Sequence, residues 1–224
     1  MKAQMKGWIA VVCCLFFLRM SESEALATVM AVGPGSFPPG SLLIDFSGLA
    51  NGTEVNGLSV DGVLFRYTIG GVPTNGAVVI DGGPGTTNNI SPPNIVSVGN
   101  NTGTLDMTLP GPTTLFGYGY AILAFGTVAD ATTISLFSGN TPVGSLSYVG
   151  SPDPGFTGGF AGIRSTIPFD VVDVTFNSTA APAFALDNIR IANLAAVPEP
   201  GTLLLMTSAI GLLLCHQVWH RRTK

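Results

Sequence analysis

The stretch TLDMTL, residues 104–109, alternates strictly between polar and apolar side chains. The apolar residues, Leu105, Met107 and Leu109, fall on one side of an extended chain, and the polar residues fall on the other. A period of two is typical of an antiparallel strand with one face in a core and one face in solvent. The stretch therefore predicts a fold built from half-buried strands.

Similar short runs recur along the chain, separated by Gly, Pro, Asn and Asp, and Ser138–Pro142 has the composition of a hairpin turn. About ten strands at this spacing predict an all-β, antiparallel β-sandwich that is jelly-roll-like. Two Gly/Pro-rich stretches, 81–93 and Ser151–Gly155, are predicted loops. The predicted strands are Leu42–Phe46, Val63–Ile69, Ala77–Ile80, Thr104–Leu109, Leu115–Ala124, Thr132–Ser138, Val143–Tyr148, Phe160–Arg164, Val171–Phe176 and Phe184–Ile191.

Reactive residues are distributed unevenly. All lysines, histidines, cysteines and tryptophans lie near the ends of the chain, so residues 28–196 contain none of them. This region has ten acidic residues and three arginines, a net charge of −7, which disfavours nucleic acid as a partner. It has no imidazole, thiol or amine for nucleophilic or acid–base catalysis. Carboxylate chemistry remains, which suits glycoside hydrolysis or calcium binding.

The N-terminus has the pattern of a secretory signal peptide. Lys2 and Lys6 precede an apolar run, Gly7–Leu18, that is too short to span a bilayer as a mature helix. Ala25 and Ala27 then supply the small-x-small pattern that signal peptidase accepts. We expect a signal helix, cleavage after Ala27 and export; an uncleaved N-terminal anchor is the alternative.

The C-terminus contains a second hydrophobic segment. Gly201–Val218 is free of formal charge and, as a helix, would be roughly 27 Å long, close to the hydrocarbon thickness of a membrane. Arg221 and Arg222 follow it, and such basic clusters favour the cytoplasmic side. We therefore expect a transmembrane helix at about residues 201–219, with the central region outside the inner membrane.

This tail resembles the PEP-CTERM sorting signal of Gram-negative bacteria. Its three parts occur in the family's order: Pro198, Glu199 and Pro200, then the leucine-rich span, then the two arginines. The resemblance implies that an exosortase recognises the tail, cuts near the Pro-Glu-Pro motif and passes the protein to the cell surface or extracellular matrix. It also implies an association with exopolysaccharide. A plain tail anchor is the alternative.

Three short stretches resemble the jelly-roll bodies of the same family. Leu43–Phe46, Gly62–Phe65 and Phe184–Ile189 look like their first, second and last strands. This resemblance implies a fold and not an activity.

We divide the chain into four parts. They are a signal peptide at 1–27, a Pro/Gly linker at 28–41, a β-sandwich domain at 42–195 and the sorting signal at 196–224.

Two groups of side chains are candidate binding residues. Asp45, Glu54 and Asp187 come together if the first and last strands are neighbours, and with loop carbonyls they would suit calcium; the alternative is that they are solvated. Tyr118 and Tyr120 are two residues apart, so both face one side of a strand, either as a sugar-stacking platform or as core residues. The threonines do not recur at a fixed spacing along the sequence, so the sequence predicts no regular threonine array.

Three functional hypotheses follow. The first is an exported, non-catalytic surface or matrix protein that is membrane-anchored before exosortase processing and binds extracellular polysaccharide. The second is a calcium-dependent, lectin-like module, and the third is a carboxylate-based glycan hydrolase. Calcium is the only cofactor that the sequence indicates.

Overall fold

The computed structural model describes residues 27–82, 89–97 and 102–193. Within these ranges the chain forms thirteen β-strands and one 3-10 turn, Pro34–Ser36, and it has no helix long and apolar enough to cross a membrane. The predicted signal and transmembrane helices lie outside the described residues, as do Ala25 and the sorting motif. The strands are β1 (Val29–Ala31), β2 (Leu42–Ile44), β3 (Thr53–Glu54), β4 (Ser59–Val60), β5 (Val63–Ile69), β6 (Val72–Pro73), β7 (Ala77–Ile80), β8 (Asn94–Ser97), β9 (Thr104–Ile122), β10 (Val128–Ser138), β11 (Thr141–Pro152), β12 (Thr157–Phe176) and β13 (Phe184–Ala192).

The described strands pair antiparallel throughout and form two facing halves. Half A runs β6, β5, the first part of β9, the last part of β12, β10 and β11. Half B runs β3, β7, β8, β13, the last part of β9, the first part of β12 and β1, and β2 also pairs with β13. The predicted all-β, antiparallel β-sandwich is confirmed.

Inward-facing apolar side chains from both halves fill the core. Leu105, Met107 and Leu109 are all buried, as their alternation predicts. Phe176 of half A stacks on Phe184 of half B with ring centroids 4.0 Å apart. Because burial of apolar area is the main favourable term in folding, these contacts hold the two halves together.

The two longest strands were each expected to be two separate strands. β9 runs without a break through Pro110 and Pro112, and β12 runs through Pro168. Proline lacks a backbone N–H, but these prolines lie where each strand changes partner. β9 leaves β5 after Thr108 and meets β13 from Leu115, so the missing donors interrupt no ladder.

Two segments differ from the expected loops. The predicted linker at 28–41 contains β1, which pairs with residues 163–165 of β12. Ser151 and Pro152 belong to β11 and pair with Gly158 and Thr157, so only the end of that predicted loop lies outside a strand. β1 has three residues, and the unexpected end of β11 has two. Segments this short show no periodic pattern in the sequence.

Candidate functional site

The outer face of half A presents two rows of polar side chains that cross five strands. The register of β5, β9, β12, β10 and β11 aligns these rows across the sheet. Alternate residues on each strand point into the core, so the row residues are on the solvent side. We call the first row the hydroxyl row and the second the charged row.

The hydroxyl row consists only of threonine and serine. Neighbouring strands lie about 4.8 Å apart, so the row repeats its hydroxyls at that interval. Thr133 Oγ1 and Ser147 Oγ are 2.8 Å apart and hydrogen-bonded, which fixes the orientation of one end of the row. All five side chains are exposed or half-buried. The row comprises Thr68, Thr104, Thr175, Thr133 and Ser147.

The charged row lies next to it. Asp106 of β9 is directly opposite Arg66 of β5 on one side and Asp173 of β12 on the other. Burial and the negative charge of Asp106 raise the pKa of Asp173. The row continues through Ser135 and Ser145, whose hydroxyl oxygens are 3.1 Å apart. The face therefore offers carboxylates, a guanidinium group and hydroxyls on one side of the sheet.

Tyr118 and Tyr120 face the same side of β9, but that side is the core. Tyr118 is fully buried and Tyr120 is 1 % exposed. The hydroxyl of Tyr118 hydrogen-bonds to Thr132 Oγ1, and burial raises the pKa of Tyr118 well above its ordinary value. Neither ring face reaches solvent, so Tyr118 and Tyr120 are core residues, and the other possibility, a sugar-stacking platform, is wrong.

The first and last predicted strands are neighbours, as the calcium hypothesis requires, because β2 pairs with β13. Asp45 follows β2 and acts electrostatically on Asp187. Glu54 is on β3, three strands from β13, or roughly 14 Å at the usual spacing. The described residues contain no group of three acidic, histidine or cysteine side chains that could hold a metal. The expected three-carboxylate site is therefore wrong in its third member.

Asp187 is 1 % exposed and lies on the outer face of half B beneath residues 89–91. Its Oδ2 accepts a hydrogen bond from the Ser91 amide at 3.2 Å. Burial is the main cause that raises the pKa of Asp187 to about 6, and the charge of Asp45 adds to it. Asp45 itself is exposed, and hydrogen bonds from Ser47 hold its pKa below the ordinary value.

Near one end of half B an exposed phenylalanine, Phe125, packs against a half-buried one, Phe156. Phe125 is 74 % exposed, and its ring centroid is 5.6 Å from that of Phe156. Phe125 lies in the loop after β9, just before Gly126. The sequence contains this Phe-Gly pair directly after a predicted strand, but the aromatic binding residues that it predicts are Tyr118 and Tyr120.

An open groove of about 340 Å³ lies at the bend of β9. None of the described residues that line it has a titratable side chain. The lining residues are Leu42, Pro110, Gly111, Pro112, Thr113, Ile191, Ala192 and Asn193.

Comparisons with known proteins identify no family. No protein-family model matches the chain, and no curated protein matches it. Among solved structures, a variant of the family 29 carbohydrate-binding module CBM29-2 is 9 % identical, with 76 % of this chain and 99 % of that chain covered and a TM-score of 0.38. Another CBM29-2 variant, complexed with mannohexaose, is 9 % identical, with 73 % and 94 % covered and a TM-score of 0.39. A likeness this weak supports no conclusion about function.

Proposed function

We propose that this chain is an exported, non-catalytic protein of the cell surface or extracellular matrix that binds polysaccharide through the outer face of half A. The hydroxyl row carries the proposal. Thr104 and Thr175 are at its centre, where neighbouring strands on both sides extend the row.

The chemistry of this face suits a neutral, hydroxyl-rich polymer. Hydroxyls at a regular spacing can both donate and accept hydrogen bonds, which matches a ligand that repeats its own hydroxyls. The charge of −7 on residues 28–196 repels polyanions, which makes an acidic polymer a poorer fit.

A binding assay on insoluble polysaccharides tests the proposal. We expect the full chain, solubilised in non-ionic detergent, to be retained on at least one neutral polysaccharide of a panel. The double substitution Thr104→Val and Thr175→Val keeps the side-chain shape and removes two central hydroxyls. We expect it to weaken retention about tenfold or more, because each neutral hydrogen bond contributes about 1 kcal/mol.

Two variants serve as controls for this assay. Thr179→Val changes an exposed threonine in the turn after β12 and should leave retention unchanged. Phe125→Ala removes the exposed aromatic ring. If Phe125→Ala abolishes retention while the threonine double variant keeps it, the aromatic pair holds the glycan and the proposed face is wrong.

The sorting part of the proposal has separate support. Pro198, Glu199 and Pro200, the apolar span after them and the terminal arginines together support recognition by an exosortase. We expect a membrane-fraction blot to show a shorter protein in cells with exosortase and the unprocessed protein in cells without it. The same full-length band in both strains would contradict exosortase processing.

Hydrolysis is a second candidate, favoured by one observation. Asp106 and Asp173 are opposite each other on adjacent strands, and the raised pKa of Asp173 is a property of general acids. Both carboxyl groups lie on the solvent side of the sheet, whereas catalytic groups usually line a concave pocket, which disfavours catalysis. Release of reducing sugar that Asp173→Asn abolishes would support the hydrolase and overturn the non-catalytic function.

A further inference from the structure

Three side-chain oxygens of the described residues are buried without a hydrogen-bond partner, and two of them lie on the outer side of half B, whereas the third, Tyr120 Oη, is on the core side of β9. The two on half B are Asp187 Oδ1 and Asn94 Oδ1. Asp187 is 1 % exposed and Asn94 is fully buried. Buried polar atoms nearly always have a partner, so two unpaired acceptors indicate a ligand.

The strand register places these two side chains next to each other. Ala185 pairs with Val96 and Leu186 with Ile95, so the next position of this ladder brings Asp187 beside Asn94. Ala185 and Val96 pack in one small cluster on the outer side of half B. Residues two apart on a strand share a face, so Asp187 and Asn94 both point to this outer side.

A third candidate oxygen belongs to Asp45, the residue directly after β2. β8 pairs with residues 185–186 of β13, and β2 pairs with residues 189–191 on the same side. Between them the edge of β13 has a gap at Asp187, and Asp45, the exposed residue after β2, is the next position of the β2–β13 register, beside this gap. Ser47 occupies Asp45 Oδ1 through two hydrogen bonds, which leaves Oδ2 as the candidate ligand.

The loop before β8 covers the gap. The Asn188 amide nitrogen Nδ2 donates to the carbonyl oxygen of Asn89 at 2.9 Å, and the Ser91 amide donates to Asp187 Oδ2. Both bonds tie residues 89–91 down over β13. They leave Asp187 Oδ1 as the unpaired oxygen beneath the loop.

We infer that this gap is a calcium site whose protein ligands are Asp187 Oδ1, Asn94 Oδ1 and a carboxylate oxygen of Asp45. All three are hard oxygen donors, and calcium accepts six to eight such ligands in irregular geometry, with carbonyls and water completing its shell. Two carboxylates balance the charge of one divalent cation. The site is independent of the polysaccharide-binding face, because it uses other residues on the other half of the sandwich.

Thermal unfolding of the full chain in non-ionic detergent tests the site. After treatment with EDTA, we expect calcium at one hundred times its dissociation constant to raise the melting temperature by roughly 5–10 °C. Magnesium should raise it less, because magnesium demands near-octahedral geometry. Asp187→Asn and Asn94→Val should each remove most of the calcium-dependent rise.

Two further variants show whether a loss is specific. Asn94→Asp keeps an oxygen at the ligand position and should retain the rise. Glu54→Gln changes an acid outside the gap and should retain it fully. The site is overturned if calcium does not shift the wild-type melting temperature, or if the shift in Asp187→Asn equals that of the wild type.

Discussion

The two carboxyl groups of the charged row illustrate how one residue sets a pH dependence. Asp173 has a pKa raised above the ordinary 3.8 by burial and by Asp106, so the folded state holds the proton to higher pH than the unfolded state does. Stability from this group is therefore present below about pH 4 and is lost as pH rises through the raised pKa. Like charges that face each other across strands destabilise a sheet by about 0.2–1 kcal/mol.

We accordingly predict that Asp173→Asn stabilises the protein at pH 7 by about 0.5 kcal/mol and flattens the decline in stability that begins near pH 4. Denaturant unfolding at a series of pH values measures both effects. Asp170→Ala is a contrasting variant, because Asp170 Oδ1 accepts a hydrogen bond from the Gly139 amide at 2.7 Å, and its loss should destabilise the hairpin. If the free energy of unfolding of Asp173→Asn changed with pH in the same way as that of the wild type, the assigned role of Asp173 would be contradicted.

The side of β9 on which Tyr118 and Tyr120 lie follows from their spacing, but their burial does not. Their spacing correctly placed Tyr118 and Tyr120 on one side of a strand. Every residue from Phe116 to Ile122 is buried, because half A covers one face of this segment and loops or side chains cover the other. The sequence of a single strand does not say what lies above each face, so burial of both rings could not be derived from period two.

At the scale of elements, the loop over β13 depends on a close approach that only glycine permits. A Cβ at Gly119 of β9 would lie 2.1 Å from the carbonyl oxygen of Asn89. This contact is with backbone, so the loop itself must move. The Asn188 side chain donates a hydrogen bond to this same carbonyl oxygen of Asn89. A shift of Asn89 away from a Cβ at position 119 would therefore disturb the bond that ties the loop to β13.

We predict that Gly119→Ala lowers the free energy of unfolding by about 1–3 kcal/mol, as overpacking does elsewhere. Gly126→Ala is the matched control, because a Cβ there meets nothing within 4 Å and should change stability by less than about 0.5 kcal/mol. Denaturant unfolding of both variants gives the comparison. Equal stabilities would mean that the loop does not rest on Gly119.

Element-level prediction succeeded where the signal was local. The short apolar runs Val63–Ile69 and Ala77–Ile80 predict both strands with their observed bounds. The hydroxyl row has no local signal, because Thr68 and Thr175 are far apart in sequence and meet in one row only through the pairing of three strands. Asn94 was missed for the same reason, since its neighbour Asp187 is brought to it by the β8–β13 ladder.

At the scale of the whole molecule, the two halves of the sandwich carry different chemistry. Half A has an open, ordered polar face, whereas the outer face of half B is closed by a loop over buried oxygens. We assign ligand binding to the open face and cation-dependent stabilisation to the closed one. The sorting tail would deliver this two-sided body to the surface where polysaccharide is found.

The binding isotherm of the full chain on a neutral polysaccharide tests the central claim most directly. The account predicts saturable binding of the wild type, an affinity lower by about tenfold or more in the Thr104→Val and Thr175→Val double variant, and an unchanged affinity in Thr179→Val. Equal affinities of the wild type and the double variant would contradict the assignment of the hydroxyl row as the binding face.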